Sequence, residues 1–205
     1  MKLFARLLVA LILVCVAAAP ALAASPSFVN SATLLQNTGT TVAPTLPASR
    51  VNGNLLVSYV STNTQATYSV SAGWTIFMSQ APATGRSFAL AYRYVTGSET
   101  APTWTASTTV NMSAQVLQYT GVFPTNPIGN TAFGTGGATT TLTCPSYTTT
   151  APASLAVNIA ATNSNTSTPP VPTSYTQEFA TATGIGAQSL GADLAVSAAG
   201  TVVAS

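Results

Sequence analysis

Glu99, Glu178 and Asp193 are the only carboxylate side chains in the 205 residues, and histidine is absent. Two carboxyls about 5–10 Å apart can break a glycosidic bond, one as acid and the other as nucleophile or base. Glu178 and Asp193 lie in segments of strand character and could approach across a sheet, so a glycan hydrolase built on them is one reading. Glu99 falls in the turn Gly97-Ser98-Glu99-Thr100. Pairing with arginine or exposure to solvent is the plainer role for all three, and no residue is assigned as catalytic. Without histidine, Ser-His-Asp and Cys-His chemistry is excluded. Zinc, haem and most transition metals want His or several Cys, and three scattered acids are a poor calcium set. We therefore expect no metal site and no cofactor.

The aromatic side chains are the stronger candidates for binding. Flat rings cover the apolar faces of sugars, and Asn and Gln bond to their polar edges. Trp74, Trp104, Tyr68 and Tyr175 form the candidate ligand-binding set. Core packing competes with that role, most strongly at Trp74 and Tyr92, whereas Tyr68 and Tyr175 are expected at exposed loop tips. Thr139, Thr141 and Thr143 form a short Thr-x-Thr run, the pattern an ice-binding face would need in flat, regular ranks. Gly134-Thr135-Gly136-Gly137 lacks the lysine and following helix of a phosphate loop. Cys144 has no basic neighbour to activate it and reads as a small buried hydrophobe. Asn111-Met112-Ser113 and Asn165-Thr166-Ser167 match N-glycosylation sequons, which matter only in a eukaryotic secretory route.

These side chains need a scaffold, and the sequence points to strands. Threonine occurs 35 times, while Lys, Arg, Asp and Glu together make up 4% of the chain. Thr and Val suit a pleated surface, and the usual surface helix formers are nearly missing. Phe88, Leu90, Tyr92 and Tyr94 alternate with Ala89, Ala91 and Arg93. Leu155, Val157 and Ile159 alternate with Ala156, Asn158 and Ala160, and Leu194 and Val196 with Ala195 and Ser197. Leu55 to Val60 is an almost unbroken apolar strand. Between Met112 and Tyr119 the apolar side switches, as a bulge or a strand buried on both faces would produce. Turn signals recur between these runs, among them Asn52-Gly53-Asn54, Ser71-Ala72-Gly73 and Thr96-Gly97-Ser98. Gln36 to Ser49 reads as a polar loop or edge segment, and Asn163 to Pro172 as an exposed loop. The expected fold is an all-β, antiparallel β-sandwich with little or no helix.

Residues 1–23 carry the parts of a secretory signal: Lys2 and Arg6, the apolar run Leu7–Val16, and the small-x-small site Ala21-Leu22-Ala23. The run is too short to span a bilayer of about 30 Å. We expect cleavage near Ala24, no membrane anchor afterwards, and a secreted or cell-surface product, with the periplasm as an alternative. Residues 24–205 are expected to form one β-sandwich domain. Arg50, Arg86 and Arg93 then balance the three acids, so the exported part has no net charge and no basic face for nucleic acid. Weak repulsion between copies favours an array, coat or surface layer over a freely diffusing enzyme.

A weak internal similarity is consistent with a duplication, with chance matching in so Thr- and Ala-rich a chain as the alternative. Thr45-Leu46-Pro47-Ala48-Ser49 resembles Thr150-Ala151-Pro152-Ala153-Ser154, and each precedes an apolar run ending in Thr-Asn, at Thr62-Asn63 and Thr162-Asn163. Trp74-Thr75 matches Tyr175-Thr176. Ala89–Tyr92 can be laid on Asp193–Val196, and Gly97-Ser98 on Gly200-Thr201. The first copy continues through Trp104 and Met112–Tyr119. The second lacks that closing strand, which is expected to leave an edge that recruits a partner strand or a second copy.

Gly53-Asn54-Leu55-Leu56-Val57, Ala72-Gly73-Trp74-Thr75, Ala91-Tyr92-Arg93-Tyr94 with Gly97-Ser98-Glu99, and Gln118-Tyr119-Thr120-Gly121-Val122 follow one another in that order. The series resembles uncharacterised β-sandwich modules of bacterial secreted or surface proteins and phage structural proteins, in which the first motif is usually Gly-Asp-Leu-Leu. Asn54 stands where Asp is common in that group. The resemblance covers most of residues 50–200. It implies a jelly-roll-like sandwich and an adhesive or virion-associated role, and it supplies no catalytic residues. The expected function is thus a non-catalytic exported β-sandwich protein acting in adhesion or in surface or virion-type assembly. A carbohydrate-binding module with a glycan or cell-surface ligand is the alternative.

Overall fold

Short Thr-, Val- and Ala-rich segments become strands throughout the computed structural model, which describes residues 25–81, 85–133, 146–149, 153–162, 170–180 and 188–202. The signal segment 1–23, the glycine-rich run 134–137, Thr139, Thr141, Thr143, Cys144 and the Asn165 sequon lie outside the described residues. In chain order the strands are β1 (Ser27–Ser31), β2 (Leu35–Val42), β3 (Leu55–Thr62), β4 (Tyr68–Val70), β5 (Thr75–Gln80), β6 (Phe88–Tyr94), β7 (Trp104–Thr120), β8 (Tyr147–Thr149), β9 (Ser154–Thr162), β10 (Thr176–Ala180), β11 (Gln188–Val196) and β12 (Gly200–Val202). Among the described residues there is no helix, and every strand pairing is antiparallel.

Three sheets form. The largest runs β1-β7-β3-β6-β5, with β2 and β4 also laddered to β7. The second runs β10-β11-β9, and the third pairs β12 with β8. The segment Gln36 to Ser49 thus contributes a strand, β2, to the rim of the largest sheet.

β7 organises the first sheet. Its Met112–Tyr119 half lies along β3 without a register break, and both strands are buried on both faces there. The switch of apolar side in the sequence therefore reflects a strand covered twice, not a bulge against β3. Its other half, from Trp104, takes β2 on one edge and β4 on the other. The β2 ladder jumps between Gly39↔Val110 and Thr41↔Thr105, so β7 runs five residues past two of β2 and changes course.

One side of the first sheet packs Leu56, Val60, Ala89 and Ala91 against Trp104, Ala106, Met112 and Val42. The opposite side sets Leu55, Val57, Tyr59, Leu117 and Tyr119 against Leu155, Ile159 and Phe179 of the second sheet. The Tyr59 and Phe179 rings stack at 5.5 Å. The far side of the second sheet groups Ala156, Tyr175, Leu190 and Ala192 with Val202 of β12.

The duplication reappears in the ladders. β5-β6-β3 and β10-β11-β9 share one strand order. In the first copy Thr75 faces Tyr92, Ile76 faces Ala91, Met78 faces Leu90 and Ser79 faces Ala89, with the bulge at Phe77. In the second, Thr176 faces Asp193, Gln177 faces Ala192, Phe179 faces Gly191 and Ala180 faces Leu190, with the bulge at Glu178. The backbone follows suit. Gly53 and Ala153 have φ of 87° and 54°, and Gly73 and Ser174 have 86° and 70°. Trp74 N–H donates to Ser71 O at 3.4 Å, and Tyr175 N–H to Pro172 O at 3.1 Å. The match corrects one sequence alignment: Tyr92 corresponds to Asp193, not to Val196. Small apolar residues are interchangeable by eye, whereas a hydrogen-bonded ladder has one register.

Candidate functional site

The aromatic candidates resolve into packing. Trp104 has 0% exposure, Trp74 7% and Tyr175 9%. The indole Nε1–H of Trp104 donates to Ser58 Oγ at 2.9 Å, and that of Trp74 to Thr100 O at 3.1 Å. Tyr68 is half-buried, edge-on to Trp104 at 6.3 Å, with its hydroxyl 2.6 Å from Thr62 Oγ1 and donating to Ser87 O at 3.1 Å. Burial pushes the Tyr68 phenol up to about 12, against the opposing pull of Thr62 and Arg86. Tyr175 was expected at a loop tip, but it fills in the second copy the place that Trp74 fills in the first. The four rings are spread over two core clusters and do not meet in one exposed platform.

Alternation turns the neighbours of these rings outward. Trp104 and Ala106 point into the core, so Thr103, Thr105 and Ser107 point to solvent. Thr41 on β2, Thr105 on β7 and Ser69 on β4 stand opposite one another in a single exposed row. Thr67 joins Ser107, whose Oγ accepts the Thr67 N–H at 3.1 Å, and Ser71 Oγ accepts the Thr103 N–H at 3.0 Å. Strand geometry spaces such hydroxyls about 4.8 Å across strands and about 6.7 Å along them. This face carries no charge, and Val42, Trp104, Val70 and Tyr68 support it from below. This row is distinct from the Thr139, Thr141 and Thr143 run, which lies outside the described residues. The signal for this one was Thr103-x-Thr105-x-Ser107 around a buried Trp104.

The carboxylates divide. Glu99 is structural: its Oε1 accepts from Arg50 Nε at 2.8 Å, and its Oε2 from the Thr96 and Gly97 N–H groups at 2.9 and 2.8 Å. Burial alone would raise its pKa, but these donors overcome that and hold it at about 2. Glu178 and Asp193 meet in hydrogen-bond contact across the β10–β11 ladder. Glu178 is placed by the bulge between Gln177 and Phe179, while Asp193 is buried opposite Thr176 and Val157. Burial raises both carboxyls above the usual range, and for Glu178 the Asp193 charge adds to the effect. Tyr119 lies beside them. Its phenol is pushed up by burial and then by the two acids, so it stays neutral.

Chemically, two acids in contact share a proton. Among the described residues no group of three or more Cys, Asp or Glu comes together. No protein-family description, curated protein or solved structure matches the chain.

Proposed function

We propose that this chain is an exported, non-catalytic protein of the β-sandwich, jelly-roll-like type that works in adhesion or surface assembly. The observation that carries the reading is the uncharged hydroxyl face Thr41–Thr105–Ser69 with Thr67, Thr103 and Ser107. A row of hydroxyls on laddered strands is held in place by the backbone, so little entropy is lost when another polar surface settles on it. It offers donors and acceptors without charge repulsion, which suits a neighbouring copy or a glycan-coated surface. The partner strand belongs to the same proposal: among the described residues β9 ladders with β11 on one side, where its counterpart β3 ladders on both.

The test uses the chain from Ala24 onward. Sedimentation and adhesion to glycan-coated surfaces should show concentration-dependent association that Thr105→Lys weakens about tenfold or more, while the fold by circular dichroism stays unchanged. A chain that remains monomeric at high concentration and adheres to nothing, or one that turns over a glycan, overturns the reading.

A further inference from the structure

The two copies answer one structural position in opposite ways. At the bulge of the first copy, Phe77 lies against Tyr92, ring centroids 6.1 Å apart. At the matching bulge of the second, Glu178 lies against Asp193. Both pairs belong to the strand faces that the two sheets turn toward each other: Phe77 and Tyr92 pack in the cluster that also holds Leu155, Ile159 and Phe179. The scaffold therefore does not require acids here, because an aromatic pair closes the same bulge.

The acids are also poorly provided for. Asp193 is 8% exposed, and its Oδ2 has no hydrogen-bond partner among the described residues. The groups facing the pair across the sheets are Tyr119 on β7 and Phe28 on β1, with Tyr59 on β3 and Tyr92 and Tyr94 on β6 further along; β9 contributes Val157 and no charge. The described cations are engaged elsewhere: Arg50 with Glu99, Arg86 beside Tyr68, and Arg93 against Gly73. Among the described residues nothing positive offsets a second negative charge at this spot.

We infer that the Glu178–Asp193 contact is an acid latch across the β10–β11 ladder, on the face turned toward the first sheet: it grips while one proton bridges the carboxyls and loosens when that proton leaves. With the bridge in place the pair is a hydrogen bond carrying one charge. Without it, two carboxylates sit in contact next to the buried Tyr119 ring. They relieve that repulsion by moving into water, and Glu178, on the half-exposed bulge, is the one that can move. The sign follows. A carboxyl whose pKa is raised in the folded state favours that state in acid and disfavours it as pH rises through the folded pKa. The latch therefore tightens on acidification.

The mature chain has three side-chain carboxyls, so a carbon-13 NMR titration reads each one separately. Glu178 and Asp193 should titrate as a coupled pair, at least one of them above the ordinary carboxylate range, while Glu99 titrates far below it. Amide exchange on β10 and β11, corrected for intrinsic rates, should be up to about tenfold faster near pH 8 than near pH 3, below the unfolded carboxyl pKa, for each pH unit by which the pair is raised. Asp193→Asn should remove that dependence and leave β3 and β6 unaffected. Glu178→Phe with Asp193→Tyr, the first copy's own solution, should do the same and tests the idea if Asp193→Asn folds poorly. Ordinary, independent titration of both carboxyls overturns the latch, and so does a pH dependence that survives both variants.

Discussion

The two copies of the three-stranded unit share strand order, register, bulge and turn geometry, yet they are filled differently. The first packs Trp74, Met78 and Leu90 where the second has Tyr175, Phe179 and Gly191. The first is covered on both sides and laddered to β7, and most of the large fully buried side chains lie on β3 and β7, Trp104, Tyr59, Leu56 and Met112 among them. The second has an Ala-rich far side around Ala156, Leu190 and Ala192. The lesson is that backbone hydrogen bonding and turn conformation fix the unit, while its side chains need only fill complementary volumes. Where filling is not needed, as at Glu178 and Asp193, other chemistry can stand.

The largest effect should come from the better-filled region. Trp104→Ala removes a wholly buried indole and its bond to Ser58 and should destabilise by about 3–5 kcal/mol in urea unfolding. Tyr175→Ala, in the smaller cluster, should cost less. Equal losses would mean that the two copies are equally packed.

The correspondence itself can be tested next. A Cβ at Gly191 would land on the Phe179 ring, whereas the matching Leu90 sits beside the slimmer Met78. Gly191→Leu should cost about 3 kcal/mol by overpacking. Adding Phe179→Met should restore most of that, because it reproduces the first copy's pair. A double variant no more stable than the single would break the equivalence.

Glu99→Gln, in the first copy alone, should cost about 2 kcal/mol at neutral pH by weakening charge-assisted bonds to Arg50, Thr96 and Gly97. Glu99 is held below its ordinary 4.5, at about 2, so its stabilisation is present above pH 4.5 and is lost as pH falls toward 2. The variant should flatten that acid limb in thermal melts taken across pH. The latch carboxyls act at the other end, with stability falling as pH rises.

The smallest effect should be a gain. Gln118 is fully buried on β7, with neither amide atom bonded among the described residues. Gln118→Leu should stabilise by about 1 kcal/mol, because an unmet polar group is removed at nearly equal volume. A loss in urea unfolding would show that the amide has a bonding role.

Much of the fold was legible. Leu55–Val60 announced an almost unbroken apolar strand, and Phe88–Tyr94 and Leu155–Ile159 showed their alternation. Turns at Gly53 and Gly73 were marked by the residue that tolerates positive φ. At Ala153 and Ser174 the same turns were not marked, since neither residue is typical there. The candidate site was less legible. Tyr175 has the composition of a binding residue, and only its equivalence to Trp74 shows it to be core. The Thr41–Thr105–Ser69 row comes from three distant segments, and no local window contains it.

The sequence alone determined that the chain would build strands, because β-branched residues with period-two apolar spacing and few helix formers leave a chain little else to bury. It also determined that acid–base chemistry would rest on three carboxyls. Tertiary structure decided which of them met. Glu99 found Arg50 and two amides, while Glu178 and Asp193 found each other, since pairing register is set by contacts among distant strands and not by any residue's own preference.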